Sequence, residues 1–275
     1  MNQLINQTIG SHYRVKSVLG QNTGRRTLLA EHTETQTLVV IKLVLFGPDF
    51  VWEDLKLFER EAETLRSLDH PAIPKYLDSF EVETAIGKGF ALVQTYIEAK
   101  SLQEWVSAGY TFSEDELSAI AIDLLNILEY LHHRHPPVIH RDIKPSNILV
   151  PAQNSQTNGG IYLVDFGSVQ TAPSVGTMTV VGTYGYMPPE QFGGRAVPAS
   201  DLYSTGATLV YLATVQHPAE LIQTDLHIDF ESQSNLTQPF TDWIKQLVSV
   251  DLSKRTSSAK QALYRLQHPQ LPSIQ

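Results

Sequence analysis

His140-Arg141-Asp142-Ile143-Lys144-Pro145-Ser146-Asn147 is the stretch on which the reading of this chain turns. It sets a carboxylate, an ammonium and a carboxamide close together, and Pro145, Ser146 and Asn147 make it too rich in turn formers for a helix. Eighteen residues after Asn147 comes Asp165-Phe166-Gly167, directly behind the strand-like run Ile161-Tyr162-Leu163-Val164. Either motif alone fits a turn braced by Asp and Asn side chains, with Asp165 merely ending a strand. Both together, in this order and with strand context, leave that reading very little room.

Toward the N-terminus, Tyr13 to Leu19, Thr27 to Glu31 and Thr37 to Val44 read as strands, the last built on the β-branched run Val39-Val40-Ile41 that ends at Lys42. Leu55, Phe58, Ala62, Leu65 and Leu68 recur at helical spacing, which predicts an amphipathic helix from about Glu53 to Leu68, stopped by His70-Pro71. Phe80 to Ile86 and Gly89 to Ile97 predict a hairpin joined at Gly87-Lys88. Beyond a connection near Tyr96 to Lys100, Ser113-Glu114-Asp115-Glu116 is a capping box, and the apolar stripe from Leu117 to Leu131 predicts a long helix. Short strands at Ile148 to Val150 and Ile161 to Val164 flank a turn-rich connector. Helices are expected over Asp201 to Leu212, Thr241 to Val250 and Ser257 to Gln267. The expectation is an α+β chain: a small β-rich lobe over 1–98, then a larger, mainly helical lobe over 99–275.

Of the 275 residues 42% are hydrophobic, enough for a real core and too many for a disordered chain. There is no cysteine, which excludes disulfides and thiolate metal sites and fits a reducing compartment. With 29 acidic against 20 basic residues the net charge is −9, a poor basis for gripping nucleic acid or anionic lipid. A small nucleotide is still accessible to one or two local cations. No apolar run approaches the roughly 20 residues of a membrane span, and Met1-Asn2-Gln3-Leu4 opens no secretory leader, so no membrane segment and a cytoplasmic location are expected.

Taken together, these motifs resemble those of the protein kinases over nearly the whole chain, from about Tyr13 to Leu266. They look most like the eukaryotic-type kinases of bacteria, particularly of cyanobacteria. The resemblance implies a bilobal kinase fold, with a five-stranded sheet and one helix in the first lobe and an ATP cleft between the lobes. It further implies transfer of the γ-phosphoryl group of ATP to serine or threonine hydroxyls of proteins, with autophosphorylation, assisted by Mg²⁺ or Mn²⁺. By the same resemblance Asp142 orients and deprotonates the attacking hydroxyl, Lys144 touches the γ-phosphate, and Asn147 and Asp165 supply hard oxygen ligands to the metal. Lys42 corresponds to the lysine that contacts the α- and β-phosphates, and Glu61 to its helix partner. Glu63 is the rival, and only the alignment separates the two. Leu19, Gly20 and the main chain at Thr95 and Ile97 would hold the nucleotide. Thr183 would contact Asp142 and Lys144, Glu190 would pair with Arg255, and Asp201 would anchor the catalytic loop.

The chain departs from the family in places. In Leu19-Gly20-Gln21-Asn22-Thr23-Gly24-Arg25-Arg26-Thr27 only Gly20 keeps its place in the glycine-rich pattern, with Asn22 and Arg25 at the other two positions and Gly24 one place early. This reads either as a modified lid, with Arg25 or Arg26 near phosphate, or as an eroded loop with weakened ATP binding. Gln94 holds the gatekeeper position, and Tyr203 replaces a usual tryptophan. Thr177 and Thr179 are candidate phosphorylation sites that Arg141 could meet, but Gln170 stands where a second basic residue is common, so only a modest dependence on phosphorylation is expected. The alternative function is a pseudokinase, a nucleotide- or protein-binding scaffold. His132, His133 and His135 lack a neighbouring carboxylate in sequence, so a metal site is the weaker reading of that cluster.

Overall fold

Strand alternation organises the first of two units. The computed structural model describes residues 3–22, 24–47, 50, 52–151, 160–170, 181–222 and 225–269, and the chain divides into Met1–Glu98 and Ala99–Gln275. The first unit runs β1 (Thr8–Ile9), β2 (Tyr13–Asn22), β3 (Arg25–His32), β4 (Leu38–Leu45), α1 (Trp52–Ser67), β5 (Tyr76–Thr84) and β6 (Gly87–Thr95). These strands form one antiparallel sheet in the order β1-β2-β3-β4-β6-β5. Val39, Ile41, Leu43 and Leu45 of β4 join Val15, Leu28, Ala30, Ala91 and Val93 in the core of one sheet face. The intervening position of Lys42 therefore points to the other face.

Two expectations for this unit are corrected. The sheet has six strands and not five, because Thr8 and Ile9 pair with Arg14 and Tyr13 and bury Ile9; two residues are too few for alternation to reveal. The β5–β6 hairpin turns at Ala85-Ile86 and not at Gly87-Lys88. There the Thr84 hydroxyl donates to the Gly87 carbonyl at 2.9 Å and accepts from the Ile86 amide at 3.2 Å, closing the turn early.

The second unit contains β7 (Lys100–Ser101), α2 (Leu102–Ser107), α3 (Glu114–His132), β8 (Ile148–Val150), β9 (Tyr162–Leu163), α4 (Pro189–Phe192), α5 (Pro198–Thr214), α6 (Gln238–Leu247) and α7 (Ala259–Gln267). The expected capping box starts α3: the Ser113 hydroxyl accepts from the Glu116 amide, and the Glu116 carboxylate accepts from the Ser113 amide at 2.8 Å. Helix α5 is buried continuously from Ala199 to Leu212 and packs against α3, α6 and α7. Burying polar groups on an enclosed helix is costly unless they are paired; Asp201, Ser204 and Thr205 on α5 are paired, whereas the buried Thr208 hydroxyl has no hydrogen-bond partner among the described residues. Strand β8 pairs with β7 on one side and β9 on the other. Among the described residues no helix is long and apolar enough to cross a membrane.

Candidate active site

The segment from His140 to Asn147 is held from behind by one fully buried carboxylate. Asp201, in the first turn of α5, accepts the Arg141 amide at Oδ1 (2.9 Å) and the His140 amide at Oδ2 (2.9 Å). The same Oδ2 meets His132 Nε2 at 2.8 Å. Arg141 itself takes φ 66°, a left-handed conformation that costs a non-glycine residue on the order of 1–3 kcal/mol. Its guanidinium donates to the carbonyls of Ser168 and Val169 and to Gln170 Oε1. Strain at this residue persists because each of its polar groups is captured.

In front of this anchor lies a triangle of side chains. The Thr183 hydroxyl donates to Asp142 Oδ1 at 2.7 Å, Lys144 Nζ donates to the Thr183 hydroxyl at 2.8 Å, and Lys144 Nζ stands 2.8 Å from Asp142 Oδ2. Asn147 Nδ2 donates to the Asp142 carbonyl at 2.8 Å and to Asp142 Oδ2 at 3.2 Å. With its amide nitrogen so used, Asn147 offers its oxygen as an acceptor, met at 3.4 Å by the Ser146 hydroxyl. The β8–β9 pairing sets Ile148 opposite Leu163, and the Val164 amide donates to the Asn147 carbonyl at 2.9 Å. Asn147 thus lies beside the strand end from which Asp165 follows, itself left-handed at φ 68°.

A carboxamide oxygen and a carboxylate are the hard donors that suit Mg²⁺, which keeps the rest of its shell for water and phosphate oxygens. The donor set therefore fits a divalent cation of that kind, though among the described residues no group of three or more His, Cys, Asp or Glu could hold a metal unaided. His140 is fully buried, and burial pushes its imidazole below the ordinary value while the carboxylates of Asp201, Asp142 and Asp165 pull upward. Its Nε2 lies 3.3 Å from the Val164 carbonyl, and its Nδ1 faces the Asp142 amide at 3.4 Å. That pairing suits the neutral tautomer protonated at Nε2.

Behind the triangle, Arg255 grips Glu190 with two nitrogens, Nη1 to Oε1 at 2.6 Å and Nη2 to Oε2 at 3.2 Å, and Ser200 donates to the same Oε1. Tyr203 stacks under that guanidinium at 5.1 Å, and burial raises its hydroxyl to about 12.

In the first unit, Lys42 forms an ion pair with Glu61, with side chains only 16% and 6% exposed. Glu61 shares the inward face of α1 with Leu65 one turn on, whereas Glu63 is exposed. The hairpin of the modified glycine loop is tight, since Asn22 pairs with Arg25 across two residues. Gly24 has φ +68°, so it is the turn that needs a glycine here; a Cβ on Gly20 would make only ordinary contact, 3.7 Å from Thr27. Arg25 donates to Asp54 of α1 at 2.7 Å, and Arg26 donates to the Arg25 carbonyl. Leu19 is half-exposed on β2, Ile97 lies just past β6, and the Thr95 amide donates to the Lys75 carbonyl at 3.0 Å.

Thr177 and Thr179 lie outside the described residues. The histidine cluster is corrected in one respect: a carboxylate does stand beside His132, that of Asp201, 69 residues away in sequence. His133 meets the Glu129 carbonyl instead. Neither the His132–Asp201 contact, the Arg25–Asp54 pair nor the buried Gln191 carries a signal in the sequence, because each partner lies far along the chain.

Residues 13–269 match the protein kinase domain family. Among curated proteins the chain is 37% identical to serine/threonine-protein kinase B of Synechocystis, over 78% of this chain and 38% of that one. It is 33% identical to serine/threonine-protein kinase PknA of Nostoc, over 95% of this chain and 48% of that one. Serine/threonine-protein kinase D of Synechocystis is 32% identical, over 98% of this chain and 54% of its own length. The chain thus spans from about two fifths to just over half of these relatives.

Proposed function

This chain belongs to the protein kinase family, and from that premise we propose that it transfers the γ-phosphoryl group of ATP to serine or threonine hydroxyls of proteins, itself included. The observation that carries the proposal is the Asp142–Lys144–Thr183 triangle. Asp142 is the base: its carboxylate, oriented by Thr183 at one oxygen and Lys144 at the other, takes the proton of the attacking hydroxyl. The hydroxyl oxygen bonds to the γ-phosphorus as the bond to the bridging oxygen breaks, and ADP leaves. Lys144 neutralises charge on the transferring group, and Lys42, steadied by Glu61, does so at the α- and β-phosphates. Asn147 and Asp165 hold Mg²⁺ or Mn²⁺, which when bound supplies electrostatic neutralisation of the phosphates.

Leu19 and Gly20 cover the nucleotide, and adenine meets main chain at Ile97 and at Thr95, where the engaged amide leaves the contact to the carbonyl. Glu190, Arg255 and Asp201 act structurally. A signalling role in the cytoplasm, with protein substrates and no nucleic acid, completes the proposal; the net charge of −9 supports the last point. Modification of Thr177 or Thr179 would tune activity only modestly. The scaffold alternative rested on Asn22 and Arg25, and the pairing of Arg25 with Asp54 accounts for that arginine without invoking loss of activity.

Incubation with radiolabelled ATP and Mg²⁺ tests the reading, with Asp142→Asn alongside. Label should enter serine and threonine in the wild type alone. Equal labelling by a folded Asp142→Asn protein would defeat the assignment.

A further inference from the structure

We propose that Gln191 is a positioning residue for Asp142, acting through the main chain of Arg141; the inference rests on the kinase reading above. Gln191 sits in the short helix α4 and is only 2% exposed. Its Nε2 donates both hydrogens, one to the Arg141 carbonyl and one to the Val181 carbonyl, each at 2.7 Å. The orientation of the amide is settled by chemistry. Turning it over would set Oε1 against two carbonyl oxygens and lose both bonds. Oε1 is buried without a hydrogen-bond partner, so the fold accepts one unsatisfied acceptor in order to make the two donations.

The Arg141 carbonyl belongs to the peptide bond that leads into Asp142. Asp201 holds the amide of Arg141 at 2.9 Å, and Gln191 holds its carbonyl. A residue at φ 66° needs both constraints, because relaxing either peptide plane would let the backbone leave the left-handed region and swing the Asp142 carboxylate. The second donation, to Val181, ties the same clamp to the chain two residues before Thr183, the hydroxyl that orients Asp142 Oδ1. Gly182 sits between them at φ +128°. A Cβ there would lie 2.5 Å from Gln191 Nε2 and 3.0 Å from the Arg141 carbonyl, so the glycine leaves room for the amide to pass. Glu190, the neighbour of Gln191, is locked to Arg255, which fixes α4 as the base from which the amide reaches inward. Gln191 therefore couples the catalytic loop to the Val181–Thr183 segment, and it touches no reacting atom.

Gln191→Met keeps length and volume and removes both donors. Steady-state kinetics should show kcat for phosphoryl transfer reduced between about 10- and 100-fold, the scale for a misplaced catalytic group, with KM for ATP within about twofold of wild type. A residue that serves stability alone would leave kcat intact in the folded protein, so wild-type kcat in a folded Gln191→Met variant overturns the proposal. Should that variant not fold, Gln191→Glu decides. Only the neutral acid can donate, so its activity relative to wild type should rise as pH falls, and a flat ratio overturns the role. Absence of transfer by the wild type would defeat the kinase reading and this inference with it; transfer by the wild type and by the methionine variant alike would defeat the inference alone.

Discussion

The catalytic loop and the glycine-loop hairpin make the most instructive comparison in this chain. In the segment from His140 to Asn147, the buried Asp201, Gln191 and Asn147 and the part-buried Thr183 tie down main-chain and side-chain groups. Every residue type that the family motif calls for is present there. The β2–β3 hairpin is pinned beyond its own ladder by Arg25 and Asp54, with side chains 38% and 32% exposed, and two of its three motif glycines are replaced. The lesson is physical. A segment that pairs most of its polar groups in a largely buried setting strands a partner when one residue changes, whereas a half-exposed hairpin can exchange partners with water.

The sharpest attempt to break this comparison is Asp142→Asn, which should lower phosphoryl transfer by roughly 10²–10⁴-fold in protein that still folds, since the amide keeps the shape of the carboxylate though not its acceptors. Near wild-type autophosphorylation would show that the loop is braced for something other than catalysis. Next come the buried ion pairs, read by urea denaturation. Arg255→Ala removes the counter-charge that Glu190 grips and should cost about 3–5 kcal/mol, and Lys42→Ala, which removes an ion-pair partner of Glu61, should fall near the lower end of that range. Losses below about 1 kcal/mol at both would place these pairs with the surface ones.

A smaller effect concerns pH. His140 has its folded-state value below the unfolded value of about 6.5, so as pH falls below about 6.5 the unfolded chain takes up a proton that the folded protein refuses, and stability drops. A single such group contributes at most about 1.4 kcal/mol per pH unit. The wild type should therefore lose more stability than His140→Phe between neutral and mildly acidic pH, and parallel curves would contradict the neutral tautomer. The smallest effect belongs to the hairpin. Arg25→Ala and Asp54→Ala should each cost no more than about 1 kcal/mol, with a coupling that fades in 1 M salt. A coupling of several kcal/mol, insensitive to salt, would erase the contrast between the two regions.

Much of this was legible in the residues themselves. The apolar stripe of α1, the capping box of α3 and the β-branched run ahead of Lys42 are local periodicities, and each became the element it predicted. Boundaries drifted where side chains closed a turn early, as at Thr84, or where a pair as short as Thr8–Ile9 joined the sheet. The motif residues are chemically distinctive enough to be named one by one and to identify the family. What the tertiary structure alone decided is which polar side chains meet. Asp201 finds His132 across 69 residues, Gln191 finds Arg141 across 50, and Arg25 finds Asp54 across 29. Polar residues are numerous, and any of them could pair with any other or with water. The choice is made only when packing of the apolar faces fixes which of them are left without solvent, and at that point each must be given a partner or pay for its burial.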